Sequence, residues 1–165
     1  MKLGEDETLS LLNEAKYLFL RDISETEENS LRLVVEEAIA DHTQTISTPD
    51  PTSPFSEILK GASPVKGVEG CRRFELRWSR YVAYLVTEES VGSAGSYEDE
   101  VYTGKLFREY TKSHFLDLLA RDTGGHFKPI LHYKLICQNH LIDVASHNPP
   151  DVRLLEKDVA KAKPN

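Results

Sequence analysis

The chain contains little cysteine and no long apolar run, and each shortage excludes a class of protein. Its 165 residues include two cysteines, Cys71 and Cys137, which are too few for the disulfide framework of a small secreted domain. No apolar run approaches the roughly 20 residues needed to cross a bilayer. The acidic first residues also lack the basic and apolar regions of a secretory signal. We therefore expect a cytoplasmic protein with reduced thiols and no membrane partner.

The chain also lacks the short motifs that identify common enzyme classes. Neither C-x-x-C nor H-E-x-x-H nor G-x-S-x-G occurs, and the glycines at positions 61, 67 and 70 are too widely spaced for a phosphate-binding loop. Five of the six histidines lie between His114 and His147, but a zinc site needs about three or four converging ligands. We expect no metal and no cofactor.

The charge of the chain is acidic overall and unevenly distributed. There are 20 Lys and Arg against 27 Asp and Glu, a net charge of −7. Residues 1–50 hold four basic and twelve acidic side chains, whereas residues 51–85 hold six and three. A nucleic-acid-binding protein normally presents a basic surface to the phosphates, so we expect no nucleic-acid partner. An acidic surface favours a basic protein partner instead.

The strongest local pattern is a β-hairpin between residues 130 and 146. A two-residue turn at Gln138 and Asn139 places apolar residues opposite one another and sets unlike charges across from each other. His132 then projects from the face opposite to the apolar one. The opposed pairs are Tyr133 with Val144, Lys134 with Asp143, Leu135 with Ile142, and Cys137 with His140.

Residues 71–89 carry a second strong strand pattern that allows two interpretations. They form either one continuous strand or a hairpin folded at Ser79 and Arg80. The hairpin places every large apolar residue on one face, but Ser-Arg is a poor sequence for a tight turn that requires positive φ. The opposed pairs of the hairpin would be Phe74 with Leu85, Leu76 with Ala83, and Trp78 with Tyr81.

Together the patterns predict an α+β fold with an antiparallel sheet of five to seven strands built from successive β-hairpins. Residues 16–23 and 30–38 alternate in the manner of half-buried strands and flank the polar loop 24–29. One main helix, at about residues 112–122 and capped by Thr111 or Ser113, is predicted to pack on one face of the sheet.

The domain organisation follows from the distribution of proline. Residues 1–150 are predicted to form a single domain that contains a long Pro-rich loop at 41–70. The tail at 151–165 follows Pro149 and Pro150 and is predicted to be a loose helix or disordered. The order of strands between hairpins and the oligomeric state are not predicted.

The weak candidates for catalysis are His132, His140 and Glu88. A hydrolase would require two of these groups to converge in one pocket, with a nucleophile or a water positioned by a base. Cys137 and His140 face each other in the predicted hairpin, but Asp143 points away from them. A hydrolase that uses a His and carboxylate cluster is therefore the alternative function.

The preferred function is that of a non-enzymatic protein-binding domain. In composition the chain resembles small, acidic, single-domain bacterial proteins without catalytic motifs, among which immunity proteins neutralise a cognate toxin domain. That resemblance implies a basic partner whose site is covered by acidic side chains. Trp78, which lies among several arginines, is a candidate apolar anchor. The candidate binding residues are Glu25, Glu27, Glu28, Trp78, Glu98, Asp99 and Glu100.

Overall fold

The computed structural model of the protein describes residues 4–44, 52, 62–67, 70–91, 97–125 and 129–155. These residues form two helices and two antiparallel sheets of five strands each. No helix among them is long and apolar enough to span a membrane. The elements in chain order are α1 (Glu5–Glu14), β1 (Tyr17–Ser24), β2 (Leu31–Ala40), β3 (Val65–Lys66), β4 (Arg73–Trp78), β5 (Tyr81–Glu88), β6 (Val101–Thr103), β7 (Phe107–Lys112), α2 (His114–Asp122), β8 (Leu131–Ile136), β9 (His140–Ser146) and β10 (Asp151–Leu155).

The predicted α+β class with antiparallel sheets is confirmed, but the strands divide between two sheets where one was expected. The first sheet has the order β1-β2-β4-β10, with β3 paired to the end of β2. The second sheet has the order β5-β9-β8-β7-β6. Both sheets contain strands that are distant in sequence, such as β4 with β10 and β5 with β9.

The hairpin of β8 and β9 has the register that the alternation of residues predicts. Tyr133 pairs with Val144 and Lys134 pairs with Asp143. The Cys137 N–H donates to the carbonyl of His140 at 2.9 Å and closes the turn. This hairpin supplies β8, the central strand of the second sheet, and its neighbour β9.

Both interpretations of residues 71–89 are wrong: the chain breaks at Ser79 and Arg80, so there is no continuous strand, and the two strands on either side do not form a hairpin. β4 and β5 belong to different sheets and do not pair with each other. The chain bends at Ser79 and Arg80 and passes from the first sheet to the second. A tight hairpin turn needs residues that adopt positive φ, which Ser-Arg does poorly, so each strand pairs elsewhere.

The hydrophobic core lies between the inner faces of the two sheets, with α1 closing part of its edge. Alternate residues of each strand point inward, as expected for a half-buried sheet. The first sheet and α1 contribute Leu12, Leu18, Leu31, Leu33, Val35, Phe74, Leu76, Trp78 and Val152, and the second sheet contributes Phe107, Tyr133, Leu135, Ile142, Val144 and the adjoining Cys137.

The two helices have different relations to this core. α1 packs against β10 and β7 and buries Leu12 completely. α2 begins where the sequence predicts, because the Ser113 Oγ accepts a hydrogen bond from the Leu116 N–H at 3.2 Å as an N-cap. None of the α2 side chains is fully buried, and the helix packs against β8.

The C-terminal prediction is corrected in part. Residues 151–155, expected to be a loose helix or disordered, form strand β10, which pairs with β4 over five residues. Val152 of this strand enters the core, so burial and the open edge of β4 decide its conformation. The prediction for residues 156–165, and that for most of the loop 41–70, falls outside the described residues.

Candidate functional site

The two candidate catalytic histidines lie on opposite faces of the β8–β9 hairpin. His140 shares the inner face with Ile142 and Val144, since alternate residues of a strand point the same way. His132 pairs with Ala145 on the outer face. The convergence that a hydrolase site would require of these two side chains is therefore not formed.

His132 is held in a buried polar network that ties α2 to the second sheet. Its Nδ1 lies 2.8 Å from the Ser113 Oγ, and its Nε2 lies 2.9 Å from the Asp143 Oδ1. The Tyr110 ring stacks on the imidazole with a centroid distance of 4.5 Å. The Lys134 Nζ lies 3.7 Å from the same Asp143 oxygen.

This Ser–His–Asp set contains the residue types of a catalytic triad but not the access that catalysis needs. Ser113 and His132 are 1% and 2% exposed, so a substrate carbonyl has no path to the Ser113 hydroxyl. The serine also bonds to Nδ1 and the aspartate to Nε2, the reverse of the arrangement in serine proteases. The network positions the first turn of α2 and satisfies buried polar groups.

The remaining catalytic candidate, Glu88, is exposed at the end of β5 opposite His140. The Ser90 Oγ donates a hydrogen bond to the Glu88 Oε1 at 2.8 Å. The neighbouring thiol is unsuited to nucleophilic attack, because burial raises the pKa of Cys137 to about 12. Within the described part of the chain, no group of three or more His, Cys, Asp or Glu side chains is arranged to hold a metal ion.

The acidic loop 98–100 uses two of its carboxylates within the protein. The Asp99 Oδ1 lies 3.0 Å from the His114 Nε2, and Lys112 lies 3.7 Å from the other oxygen. The hydrogen bond from His114 holds the pKa of Asp99 below its ordinary value. Glu100 accepts the backbone N–H of His114 at 3.0 Å. These acids stabilise the start of α2 and leave Glu98 as the outward-facing charge.

The acidic loop 25–28 lies at the opposite edge of the second sheet. The Glu25 Oε1 accepts hydrogen bonds from the hydroxyls of Tyr81 at 2.8 Å and Tyr84 at 3.1 Å. These bonds favour the neutral phenols and raise the pKa of both tyrosines. Glu27 and Glu28 remain exposed beside this anchored carboxylate.

A β-bulge in β5 makes the tyrosine pair possible. Tyr81 pairs with Ser146 and Tyr84 pairs with Val144, so four residues of β5 span three residues of β9. The extra residue at this irregularity returns Tyr81 and Tyr84 to the same face, and their rings meet edge to face at 5.0 Å. Without the bulge, residues three apart would point to opposite faces of the strand.

The two acidic loops therefore do not form one patch. Loop 25–28 contacts β5, whereas loop 98–100 precedes β6, and three strands separate β5 from β6. With strands about 4.8 Å apart, this separation is about 19 Å. The sequence analysis grouped the six acids of the two loops as one set of candidate binding residues. Local sequence does not encode the order of strands between hairpins, so it could not show that the loops lie far apart.

Trp78 is not the exposed anchor that the sequence suggested. It is 1% exposed and lies in the core, with its ring centroid 6.0 Å from that of Tyr133. Its neighbours Arg77 and Ser79 occupy the outer face and the bend, so the strand alternation that exposes the arginine buries the tryptophan.

The exposed surface that sequence reasoning missed is the open side of β5. Leu85 and Val86 are 50% and 38% exposed, although both lie in the middle of a strand. Glu88 and Glu89 follow them and are also exposed. The expected hairpin placed Leu85 in the core opposite Phe74; the pairing of β5 with β9 leaves it in solvent.

The outer face of the first sheet is a second charged surface, but most of its charges are mutually paired. The carboxylates of Glu36 and Glu75 are the least exposed members of this network. The matched charge leaves little net positive field for a phosphate ligand. The ion pairs are Arg21–Glu36, Arg73–Glu36, Arg32–Asp22, Arg32–Glu75 and Arg153–Asp151.

Comparison of the chain with protein-family models, with curated proteins and with solved structures finds no match.

Proposed function

We propose that this chain is a non-enzymatic protein-binding domain that binds a basic partner protein at β5 and the adjoining acidic loop 25–28. The observation that carries the proposal is the carboxylate of Glu25, held by the hydroxyls of Tyr81 and Tyr84. An acid fixed in this way holds the loop in place before a partner arrives, which lowers the ordering cost of binding.

Charge and apolar area occur together at this surface, as protein interfaces require. Glu27 and Glu28 lie at one end of β5, Glu88 and Glu89 lie at the other, and exposed Leu85 lies between them. Arg77 and Arg80 lie near the first end, and the Arg77 Nη2 donates to Thr26 at 2.8 Å. The acids outnumber these arginines along the strand, so the surface favours positive partners.

An immunity-like role is the specific version of this function. In that role the acidic surface would cover a basic site on a toxin domain and exclude its substrate. Complementary charge would accelerate the encounter and disfavour wrong partners. The buried state of Ser113 and His132 supports binding over catalysis, because a reacting group must be reachable by its substrate.

Charge reversal with a matched control tests the proposal. We expect Glu27→Lys combined with Glu28→Lys to weaken retention of a basic partner from native lysate by about tenfold at low salt, equivalent to about 1.4 kcal/mol. The difference should shrink at moderate salt, because charges on the surface are screened over about 10 Å at 0.1 M. Affinity would be measured by titration of the retained partner at both salt concentrations.

The control is Glu14→Lys combined with Glu98→Lys, which changes the net charge equally at exposed positions elsewhere. Equal weakening by both double variants would show that net charge alone attracts the partner and would contradict a site at β5. An unchanged affinity and salt dependence in the test variant would contradict the electrostatic proposal itself.

A further inference from the structure

β5 differs from the other edge strands of the two sheets in the part of the chain that the structure describes. An edge strand exposes unpaired backbone N–H and C=O groups, and proteins usually shorten, charge or cover such edges. The edges here are β1 and β10 in the first sheet and β5 and β6 in the second. β6 is only three residues long, and α1 packs against β10.

The edge of β1 is covered by the turn of the β8–β9 hairpin. The Gln138 N–H donates to the Leu18 carbonyl at 2.8 Å. The Asn139 side chain then takes the place of a neighbouring strand: its Oδ1 accepts the Leu20 N–H at 2.9 Å, and its Nδ2 donates to the Leu20 carbonyl at 3.0 Å. A side-chain amide thus occupies the position where another backbone could pair.

β5 carries no comparable cover among the described residues. It pairs with β9 on one side, and on its other side the Tyr81 N–H donates to the Asn29 carbonyl at 2.9 Å. Beyond the bulge, residues 83–88 have no second paired strand in the described part of the chain. This stretch contains the exposed Leu85 and Val86, the kind of open apolar edge that soluble proteins otherwise avoid.

We propose that β5 binds an extended segment of a partner protein as a sixth strand of the second sheet. The segment carries Lys or Arg at both ends and apolar residues between them. Backbone hydrogen bonds to residues 83–88 supply affinity, and the side-chain contacts supply specificity. This inference rests on the proposed function and names the partner's recognised element.

The charges at the two ends of β5 favour such a partner over a second copy of this chain. Antiparallel pairing of two β5 strands would bring Glu27 and Glu28 of one copy toward Glu88 and Glu89 of the other. Like charges placed across strands are destabilising, and the two arginines at that end, Arg77 and Arg80, offset the four acids incompletely. A basic segment instead meets acids at both of its ends.

The first test uses hydrogen exchange with a defined probe. The probe is a synthetic peptide of about nine residues, matched to the length of β5, with Lys and Arg at both ends and alternating Val and Thr between them. We expect saturating peptide to slow exchange of the outward amides in residues 83–88 by at least about tenfold, as new hydrogen bonds protect them. Absence of protection at about 1 mM peptide, or protection confined to other strands, would overturn the proposal.

The second test uses proline to remove a backbone N–H donor from the open edge of β5. Because N–H groups along an edge strand alternate between the paired and open sides, one of Leu85→Pro and Val86→Pro removes a bond to β9 and the other removes only an outward donor. Denaturation identifies the variant that keeps its stability. That variant is expected to bind the peptide at least about tenfold more weakly; unchanged binding would overturn strand addition.

The outcomes separate this inference from the proposed function. Suppose that Glu27→Lys with Glu28→Lys weakens peptide binding, whereas the stable proline variant binds the peptide normally. The proposed acidic binding surface is then supported, and strand addition is wrong. If neither change affects binding, both proposals fail. Self-association of the free protein that the proline abolishes, measured by analytical ultracentrifugation, would assign β5 to a second copy and overturn the stated partner. If both prolines unfold the chain, the exchange experiment alone decides.

Discussion

The side-chain amide of Asn13 connects α1 to the segment before β7, two parts of the protein that are not joined by strand pairing. The Asn13 Oδ1 at the end of α1 accepts three successive backbone N–H groups, those of Lys105, Leu106 and Phe107, at 2.9 to 3.0 Å. Gly104 precedes them with φ of 88°, a conformation that favours glycine. Three converging N–H groups form an anion-attracting nest, which the amide oxygen fills.

This arrangement predicts that two substitutions of Asn13 have different effects on the free energy of unfolding. Asn13→Ala should lower the free energy of unfolding by about 1–3 kcal/mol, because three backbone donors lose their acceptor. Asn13→Asp should retain stability at neutral pH, because a carboxylate is a stronger acceptor for the same donors. Urea denaturation measures both; equal losses would show that the nest has no preference for an acceptor oxygen.

For single residues, the sequence predicted the faces of the two histidines correctly, but it did not predict which residues are exposed. It placed His132 and His140 on different faces because alternation along one hairpin is local. It expected Trp78 at the surface, although Trp78 is buried. The flanking arginines suggested exposure, whereas in a strand a residue and its immediate neighbours point to opposite faces.

At the scale of elements, β2 carries two neighbouring carboxylates that pair with arginines: Glu36 on the outer face of the first sheet, and Glu37 on the opposite side of the strand near its end. The hydrogen bonds from Arg72 hold the pKa of Glu37 below its ordinary value. Burial acts to raise the pKa of Glu36, but the hydrogen bonds from Arg73 and Arg21 outweigh it and lower the pKa overall. A carboxylate with a lowered pKa binds fewer protons in the folded state than in the unfolded state.

These shifts predict how stability depends on pH. Their contribution is fully present above the unfolded glutamate pKa of about 4.3 and is lost as the pH falls through the lower folded values. Glu37→Gln should therefore reduce the loss of stability that occurs between about pH 5 and pH 2. Urea midpoints across this range measure the slope.

Arg72→Gln is the matched test of the cause. It leaves the Glu37 carboxylate in place but removes the guanidinium, so it should also flatten the dependence on pH below about 4.3. A steep slope that persists in Arg72→Gln would mean that Arg72 does not lower the pKa of Glu37.

At the scale of the whole molecule, one core joins the two sheets, and of the two cysteines Cys137 lies in this core whereas Cys71 lies outside it. Cys137 is 1% exposed and directly follows the central strand β8, whereas Cys71 is partly exposed before β4. Burial raises the pKa of the Cys137 thiol to about 12, so the reactive thiolate is scarce in the folded state. Access to Cys137 requires the core to open.

Thiol labelling should therefore report global unfolding in a Cys71→Ser variant. We expect Cys137 to react with a thiol reagent more slowly than Cys71 in a Cys137→Ala control by at least about 100-fold, since opening of a core strand costs several kcal/mol. Added urea should accelerate the labelling of Cys137 as the free energy of unfolding falls. Rapid labelling without urea would show that β8 opens locally.

Local sequence encodes where most strands lie, the register of the β8–β9 hairpin and the Ser113 cap of α2. These features depend on residues close in the chain: alternation of apolar side chains, a two-residue turn and the Ser113 cap. Tertiary structure decided which sheet each strand joins, the pairing of β10 with β4 and the exposure of β5. Those outcomes depend on backbone pairing between distant segments, for which all strands offer the same N–H and C=O groups, so local sequence does not distinguish among the possible partners.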